Sequence, residues 1–557
     1  MSNRVFYFFT VLILVLGLFL RFYKLGEIPI GTYWDETAML VDARSLAETG
    51  RDIHGNSWFQ AIFPSYGDYK LPVYIWFASL ATKFFGSTAL AVRLPSALAG
   101  AVTIVLAGLI AKELIKEEKP AKKRQLQLAT MLVVALSFWD IMFSRAGFEG
   151  HLGQLFLGFS FYLALKASQK FWFLPLSGLL AVLALFTYYS TRFVWPAVFI
   201  CLLVFNLASF KKIRPNKRFF GRFIINSLLA AIIFLLGIGV MNVSPYYSAS
   251  QQFRLSASSI LDQTPVVLEA NEYQQLAGNT FLDKLTFHRH WLSLKKLLVN
   301  YSQNLSFEFL FLNGDQNLRH GTGQHGLFAL SFLPIFLLGL HAMAQKNRSA
   351  LFVLVVWWLA ALLPASVPLD VPHALRSLNA LLPIAIIISF GLVFIWQTQF
   401  RFKKVIIFGW EAWTVLAVGN FYYHLMTIYP VESATSWQSG YQELADAVVS
   451  ELDKNDRIWV NIDDGRFYLW LLNNPKFSPQ EIQTWPKDNN FQLRKVGNIT
   501  LENFVYTNFN QRSTKLILAG KREVILTEVE KNHIVYRQIQ PIFDQRGVER
   551  FILIYLN

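Results

Sequence analysis

Two adjacent carboxylates, Asp35 and Glu36, stand in Gly31-Thr32-Tyr33-Trp34-Asp35-Glu36-Thr37, just beyond the first apolar run of the chain. Acids at the edge of a bilayer are held near low dielectric only in company with something charged or protic. Read blandly, they open and cap a helix over Thr37 to Glu48, since negative charge is favourable at a helix N-terminus. Read as chemistry, one of them is a general base that takes the proton of an acceptor hydroxyl. Lys70, in Asp68-Tyr69-Lys70-Leu71-Pro72, is either a headgroup anchor or a cation placed for the phosphate of a lipid-linked substrate.

Single arginines form the next set: Arg93 before Leu94-Pro95, Arg145 in Ser144-Arg145-Ala146-Gly147-Phe148-Glu149, Arg192 after Tyr188-Tyr189, and Arg376 in Pro372-His373-Ala374-Leu375-Arg376. Each could snorkel, or pair with Glu149 or Asp370. Together they describe a cationic pocket of the kind a phosphate leaving group requires. The polar, glycine-rich run from Asn313 to Gly326 contains Arg319, His320 and His325 but lacks the Gly-Lys-Ser/Thr ending of a phosphate-binding loop, which excludes that kind of nucleotide site. His320 and His325 are either metal ligands or hydrogen-bonded structure. Asn498-Ile499-Thr500 is too common a pattern to carry meaning.

These residues must be positioned by a chain of 557 residues, 54% apolar, whose apolar residues come in blocks. From Val5 to about Met426, runs of roughly 17 to 25 apolar residues match the length that crosses a bilayer. The expected spans are about 5 to 20, 89 to 112, 127 to 143, 152 to 168, 172 to 189, 193 to 209, 222 to 242, 326 to 343, 349 to 366, 377 to 397 and 404 to 425, about eleven in all. No small-residue cleavage site follows the first, which argues against a removed signal peptide. Cys201 is the single cysteine and lies in an apolar run, so no disulfide framework or multi-cysteine metal site exists. The net charge of +15 resides in short loops between apolar segments and not along one face, which argues against nucleic acid.

Those loops orient the chain. Lys112 to Arg124 (with Lys116, Lys119, Lys122 and Lys123), Lys166 to Lys170, Lys211 to Arg222 (with Lys212, Arg214, Lys217 and Arg218), Lys346 with Arg348, and Arg401 to Lys404 all fall on one side, read as cytoplasmic. Arg21 and Lys24 oppose this for the first span alone. The acids, the lone arginines, a long loop at 243–325 and the C-terminal segment are then expected outside. Pro72 to Phe85 is too short to span and reads as an interfacial helix. From Glu432 the pattern becomes that of a small α/β domain, with a helix over Gly440 to Leu452 and β-type runs at Arg457 to Ile462, Lys515 to Ala519, Glu523 to Glu528, Ile534 to Ile539 and Arg550 to Leu556. The expected architecture is a polytopic α-helical membrane module over 1–426, containing a first outer loop at 23–88, and an extracytoplasmic α/β domain over 427–557.

The order of these features resembles the integral-membrane glycosyltransferases of the GT-C fold. An N-terminal span is followed by Asp35-Glu36 and a helix ending near Thr49-Gly50. Next come Lys70-Leu71-Pro72, an aromatic helix ending in Phe85-Gly86, and Arg93-Leu94-Pro95-Ser96-Ala97-Leu98 opening the next span. The nearest branch is the protein O-mannosyltransferase and aminoarabinose-transferase-like group, which uses polyprenyl-phosphate sugars. The resemblance covers residues 1 to 400 and is most specific over Gly31 to Gly100. It implies that Asp35 is the catalytic base, with Glu36 orienting acceptor or base, and that Lys70 contacts the donor phosphate. Arg93 and Arg145, Arg192, Arg319 and Arg376 are further phosphate-binding candidates, with Glu149, His320 and His373 in support. Leu71 departs from the Pro-Pro or Lys-Pro adjacency frequent in the family.

The expected activity is inverting transfer of a sugar, hexosyl or pentosyl, from a polyprenyl-phosphate donor to a glycan, lipid or protein acceptor at the outer face of the plasma membrane. No metal is required in principle, because Lys and Arg can neutralise a lipid monophosphate, though the carboxylates could hold a divalent ion. A lipid-linked glycan flippase is the alternative, but it calls for polar residues at mid-membrane depth, where Asp140 is the main example. A non-enzymatic scaffold with a sensory outer domain would have no use for Asp35.

Overall fold

The structure, a computed structural model, describes residues 2–115, 118–213, 217–256, 263–462, 465–489, 491–501 and 516–556. Lys116, Arg214 and Lys515, named above in two basic loops and one expected strand, lie outside these residues. The chain divides into two compact units, Met1–Tyr23 with Ser96–Thr427 and Lys24–Pro95 with Ile428–Asn557.

Each apolar run expected to span contains helix, although the run 326–343 is helical only from Phe332. Among the described residues, seven helices of the chain are long and apolar enough to cross a membrane: Asn3–Phe22, Ala89–Leu114, one beginning at Thr191, one beginning at Phe220, Arg348–Ser366, Leu378–Gln397 and Lys403–Thr427. Pro120–Ala135 with Phe138–Ser144, bent by 58°, would make an eighth. Phe173–Leu185 and Phe332–Lys346 are shorter, and Glu149–Lys166 carries Glu149, His151 and Gln154 in its first two turns. Length and apolarity alone therefore support fewer spans than the eleven expected.

The bend has a chemical cause. Where the helix Pro120–Ala135 stops, its last carbonyls lack intrahelical donors. The Arg21 guanidinium supplies them, donating to Val134 O at 3.0 Å and Ala135 O at 3.2 Å. The same group donates to Gly17 O and twice to Asp140 Oδ1, at 3.0 and 2.6 Å, so all five of its N–H groups are used. The Ser137 hydroxyl then caps the next helix by accepting from Asp140 N. Elsewhere in the first, helical unit Gly339 and Gly391 let two helix backbones touch. A Cβ at Gly339 would stand 2.0 Å from Ile387 O, and one at Gly391 2.0 Å from Ile335 O. Among the described residues, the stretch read as a long loop contains four α-helices, Tyr247–Ser256, Gln263–Ala277, Phe281–Thr286 and Arg289–Leu305, and a π-helical turn, Glu308–Leu312.

The second unit is built on a six-stranded mixed sheet. Its strands run in the order Lys495–Val496, Ile499–Leu501, Arg457–Asn461, Leu516–Gly520, Glu549–Leu556, Tyr536–Phe543. The central strand is parallel to both neighbours and the outer pairs are antiparallel. Side chains alternate between faces along a strand. Thus Trp459, Leu516, Leu518, Ile552 and Ile554 pack on one face with Ile525 and Val529. Ile458, Val460, Ile517, Ala519, Leu553 and Tyr555 share the other with Ala38, Val41, Ile53 and Tyr66.

That second core shows why residues 24–95, grouped with the spans in the sequence reading, belong with the C-terminal segment: the helix Trp34–Thr49 lays Ala38 and Val41 on the sheet's apolar layer. The run Glu523 to Glu528, expected as a strand, is the helix Arg522–Lys531. Its Val-Ile-Leu-Thr stretch is β-rich locally, but the buried pair Ile525 and Val529 is four residues apart, the spacing of one helix face. The helix Pro72–Phe85 buries Val73, Tyr74, Ile75, Ala78, Ala81 and Thr82 and exposes Phe77, Leu80, Phe84 and Phe85.

Candidate active site

Asp35 and Glu36 lie in the first turn of the helix Trp34–Thr49, where the helix dipole favours negative charge. Gly31, at φ +78°, turns the chain into it. A Cβ there would meet Trp437 O at 2.8 Å. The two acids nonetheless have different surroundings. The Asp35 side chain is 21% exposed and that of Glu36 is fully buried.

Lys70 and the Tyr66 hydroxyl both donate to Asp35 Oδ1. A short antiparallel pair, Phe63–Pro64 with Tyr69–Lys70, brings Tyr66 and Lys70 back beside the helix. Lys70 Nζ also lies 2.8 Å from Asp68 Oδ2 and 5.7 Å from the Tyr66 ring centre. Burial opposes ionisation of Asp35, but the Lys70 charge and hydrogen bonds from Lys70, Tyr66 and Tyr33 outweigh it, and the pKa lies below the usual carboxylate value. Burial, then the Asp35 charge, pushes the Tyr66 phenol well above its usual pKa, so it remains a donor. The Arg466 guanidinium stacks 3.7 Å from the Trp34 ring centre. The result is a charged, partly open carboxylate with one oxygen fixed by two donors.

Glu36 is engaged otherwise. Arg93 Nε and Nη2 donate to its two oxygens, each at 3.0 Å. Arg93 also donates to Leu25 O, Pro29 O and Gly31 O. All five guanidinium N–H groups are thereby spent inside a fully buried pair. Arg93, expected at a phosphate, has no donor left for one, and Glu36, expected beside the base, fixes the loop that leads to Asp35. Their work is positioning.

The remaining candidates belong to the helical unit. Arg145 is 1% exposed and donates to Leu20 O and Arg21 O, closing the end of the first helix. These bonds give it a part in the scaffold. Arg192 lies over the Tyr189 ring at 5.1 Å and donates to Gln251 Oε1 at 3.4 Å. Arg254, which sequence reasoning missed, lies 3.7 Å from the same ring centre. It belongs to the electrostatic surroundings of both Arg192 and Arg376. Arg192, Arg254 and Arg376 thus form a cationic group. Arg254 is of the same kind as the lone arginines that were recognised, and only its place in a long polar stretch hid it. Glu149 is half-buried in the first turn of its helix.

His320 and His325 do not form a pair. His325 contacts Thr322 and Asn420, whereas His320 stacks on His373, ring centres 4.5 Å apart. His320 Nδ1 is 3.2 Å from Asp315 Oδ2. Asp315, also missed, accepts from Asn317 N and Ala374 N, and Asn317 Oδ1 accepts from Arg319 Nε at 3.2 Å. Asp315, His320 and His373 are buried, with donor atoms all within 4.8 Å of one another, a set able to take a divalent ion. Burial, then His320, Arg376 and Arg319, holds the His373 pKa well below the usual imidazole value. Its Nδ1 accepts from Arg376 N at 3.4 Å, so the set is also satisfied as a hydrogen-bonded network.

Residues 69–237 match the family model described as dolichyl-phosphate-mannose-protein mannosyltransferase. Among solved structures, ArnT from Cupriavidus metallidurans in the apo state is similar at 11% identity, over 98% of this chain and 97% of that one, with a TM-score of 0.54. The same protein bound to undecaprenyl phosphate is similar at 12% identity, over 100% and 98% of the two chains, with a TM-score of 0.53. No curated protein matches in sequence. The chain is a polytopic membrane protein of the GT-C fold, similar over residues 69–237 to the dolichyl-phosphate-mannose-protein mannosyltransferase family.

Proposed function

We propose that the protein is a membrane glycosyltransferase that moves a sugar from a polyprenyl-phosphate donor to an acceptor hydroxyl at the extracytoplasmic face of the plasma membrane. The observation that carries this is Asp35, an ionised and partly exposed carboxylate whose orientation is set by Lys70 and Tyr66. Asp35 takes the acceptor proton while the acceptor oxygen bonds to the anomeric carbon. The bond from that carbon to the phosphate oxygen breaks, polyprenyl phosphate leaves, and the anomeric configuration inverts.

Lys70 couples the two halves of the reaction. As phosphate draws on its charge, Asp35 is less stabilised as an anion and becomes a stronger base. Arg192, Arg254 and Arg376 are assigned to the donor phosphate, which needs fixed cations as charge develops on the leaving group. Lysine and arginine can neutralise a lipid monophosphate, so no metal is required in principle, though the carboxylates could hold a divalent ion. Family model and fold both favour transfer over flipping of a lipid-linked glycan.

Asp35→Asn in membranes supplied with a lipid-linked donor is expected to lower sugar release about 10²- to 10⁴-fold, the usual contribution of a general base. Full activity in that variant would remove Asp35 from the chemistry.

A further inference from the structure

A cavity of about 670 Å³ lies within the second unit, beside the helix that carries Asp35. Leu40, Arg44, Ala47 and Glu48, one face of that helix, make one wall. The opposite wall comes from the helix Tyr441–Ser450, through Gln442, Glu443 and Asp446, and from Trp470 and Asn473. The volume suits a ligand of a few rings. Nothing in the mechanism above uses this space.

The lining selects a class of occupant. Arg44 and Lys83 face Glu48, Glu443 and Asp446, so the charge is mixed and suits neither a polyanion nor a polycation. What dominates is a relay of groups that both donate and accept. The Ser87 hydroxyl donates to Asn473 Oδ1 at 2.5 Å, Asn473 Nδ2 to Gln442 Oε1 at 3.3 Å, and Gln442 Nε2 to Asp446 Oδ1 at 3.0 Å. Hydroxyl-rich ligands present the same alternation of donor and acceptor. Trp470 adds a second observation. It lines the cavity, is fully buried, and its indole N–H has no hydrogen-bond acceptor among the described residues. A buried donor left alone costs about 1 to 3 kcal/mol, and a ligand hydroxyl would relieve it.

We infer that this cavity binds a neutral saccharide, at a site separate from the one the mechanism uses. Gly31 and Thr32 also line the cavity. Leu40, Arg44, Ala47 and Glu48 stand about 120° to 180° around their helix from Asp35, and Asp35, Lys70 and Tyr66 do not line the cavity, so it is a site apart from the base.

The test uses the purified full chain in detergent micelles, with mannotriose and N-acetylchitotriose as probes and an uncharged serine-rich peptide as the competing class. Ligand-detected NMR is expected to show saturable binding of at least one trisaccharide, with Kd below about 1 mM. Gln442→Ala is expected to weaken it about tenfold. Trp470→Phe separates ligation from mere burial, because it should weaken the trisaccharide several-fold while leaving thermal stability unchanged or higher. Release of sugar from the lipid donor without acceptor is measured on the same samples and should be unaffected by either variant. Absence of trisaccharide binding, binding of the peptide alone, or trisaccharide affinity unchanged in both variants would each overturn the saccharide assignment. None of these would disturb the transferase reading if donor cleavage still depended on Asp35.

Discussion

Replacing Lys70 with Met tests the link between the base and its cation. Asp35 Oδ1 receives two donors, Lys70 and Tyr66, and Lys70 supplies both a charge and a hydrogen bond. Hydrogen bonds to charged groups contribute about 1.5 to 3 kcal/mol. Loss of Lys70 should therefore raise the Asp35 pKa. Burial, which already opposes the anion, then acts with less opposition. In the wild type Asp35 has a pKa below its unfolded value, so it is ionised across the neutral range and its ion pair contributes stability present above that unfolded value. That contribution is lost as pH falls through the folded pKa.

In Lys70→Met the acid limb of kcat against pH should therefore move to higher pH. Activity at neutral pH should fall as well, through lost phosphate binding. The assay is transfer from a radiolabelled polyprenyl-phosphate sugar in nanodiscs, followed over pH, with Asp35→Asn as the baseline. An acid limb at the wild-type position in Lys70→Met would refute the proposed coupling, even if overall activity dropped.

Three further outcomes follow from the geometry. Arg93→Met leaves Glu36 as a buried carboxylate without its cation, which should cost about 3 to 5 kcal/mol and lower the detergent-solubilised melting temperature. Arg93→Lys should not restore it, because an ammonium has three donors for five sites. Arg254→Met should raise the donor KM about tenfold or more with a smaller change in kcat, as expected for a charge that binds the phosphate in ground and transition states alike. An unchanged donor KM would take Arg254 out of the donor site. Finally, burial and then Lys487 hold the His54 pKa down to about 3. Between there and its unfolded value near 6.5, only the unfolded chain takes up that proton, so stability should fall on acidification by up to about 1.4 kcal/mol per pH unit. Asp42 and Asp52, whose pKa values burial raises, act in the opposite sense. Comparing denaturant midpoints of wild type and His54→Phe over that range isolates the histidine, and parallel pH profiles would show that it is not the source.

Asp35 and Lys70 were legible because acids, lysine and proline at a membrane edge are unusual against an apolar background. Tyr66 was not, because its role depends on a two-residue strand pair that no periodicity announces. The saturation of Arg93 was equally hidden, since its partner Glu36 is 57 residues away and its other acceptors are backbone carbonyls. Helical spans were recognisable from apolar length. The α/β character of the C-terminal segment was recognisable too, but not that residues 24–95 share its core, because that core joins distant segments, as when Trp34 N donates to Gln438 Oε1 across 404 residues. His320 and His325 were left open as metal ligands or hydrogen-bonded structure, and it is packing that separates them, His320 going with Asp315 and His373 and His325 with Thr322 and Asn420.

Arg21 bears on how the chain is made. It lies in the last turn of the first apolar helix, on the side where a positive charge opposes the expected orientation, yet in the folded protein its charge is absorbed by Asp140, 119 residues later. At about 5 to 20 residues per second, the ribosome needs roughly 6 to 24 s to deliver that partner. During this interval the first helix has inserted but its guanidinium has neither Asp140 nor the Val134 and Ala135 carbonyls. The nascent chain must therefore hold Arg21 at a hydrated site or against headgroups until the broken helix arrives. The final seat of the first helix is then decided by assembly with later segments and not at the moment of its own insertion.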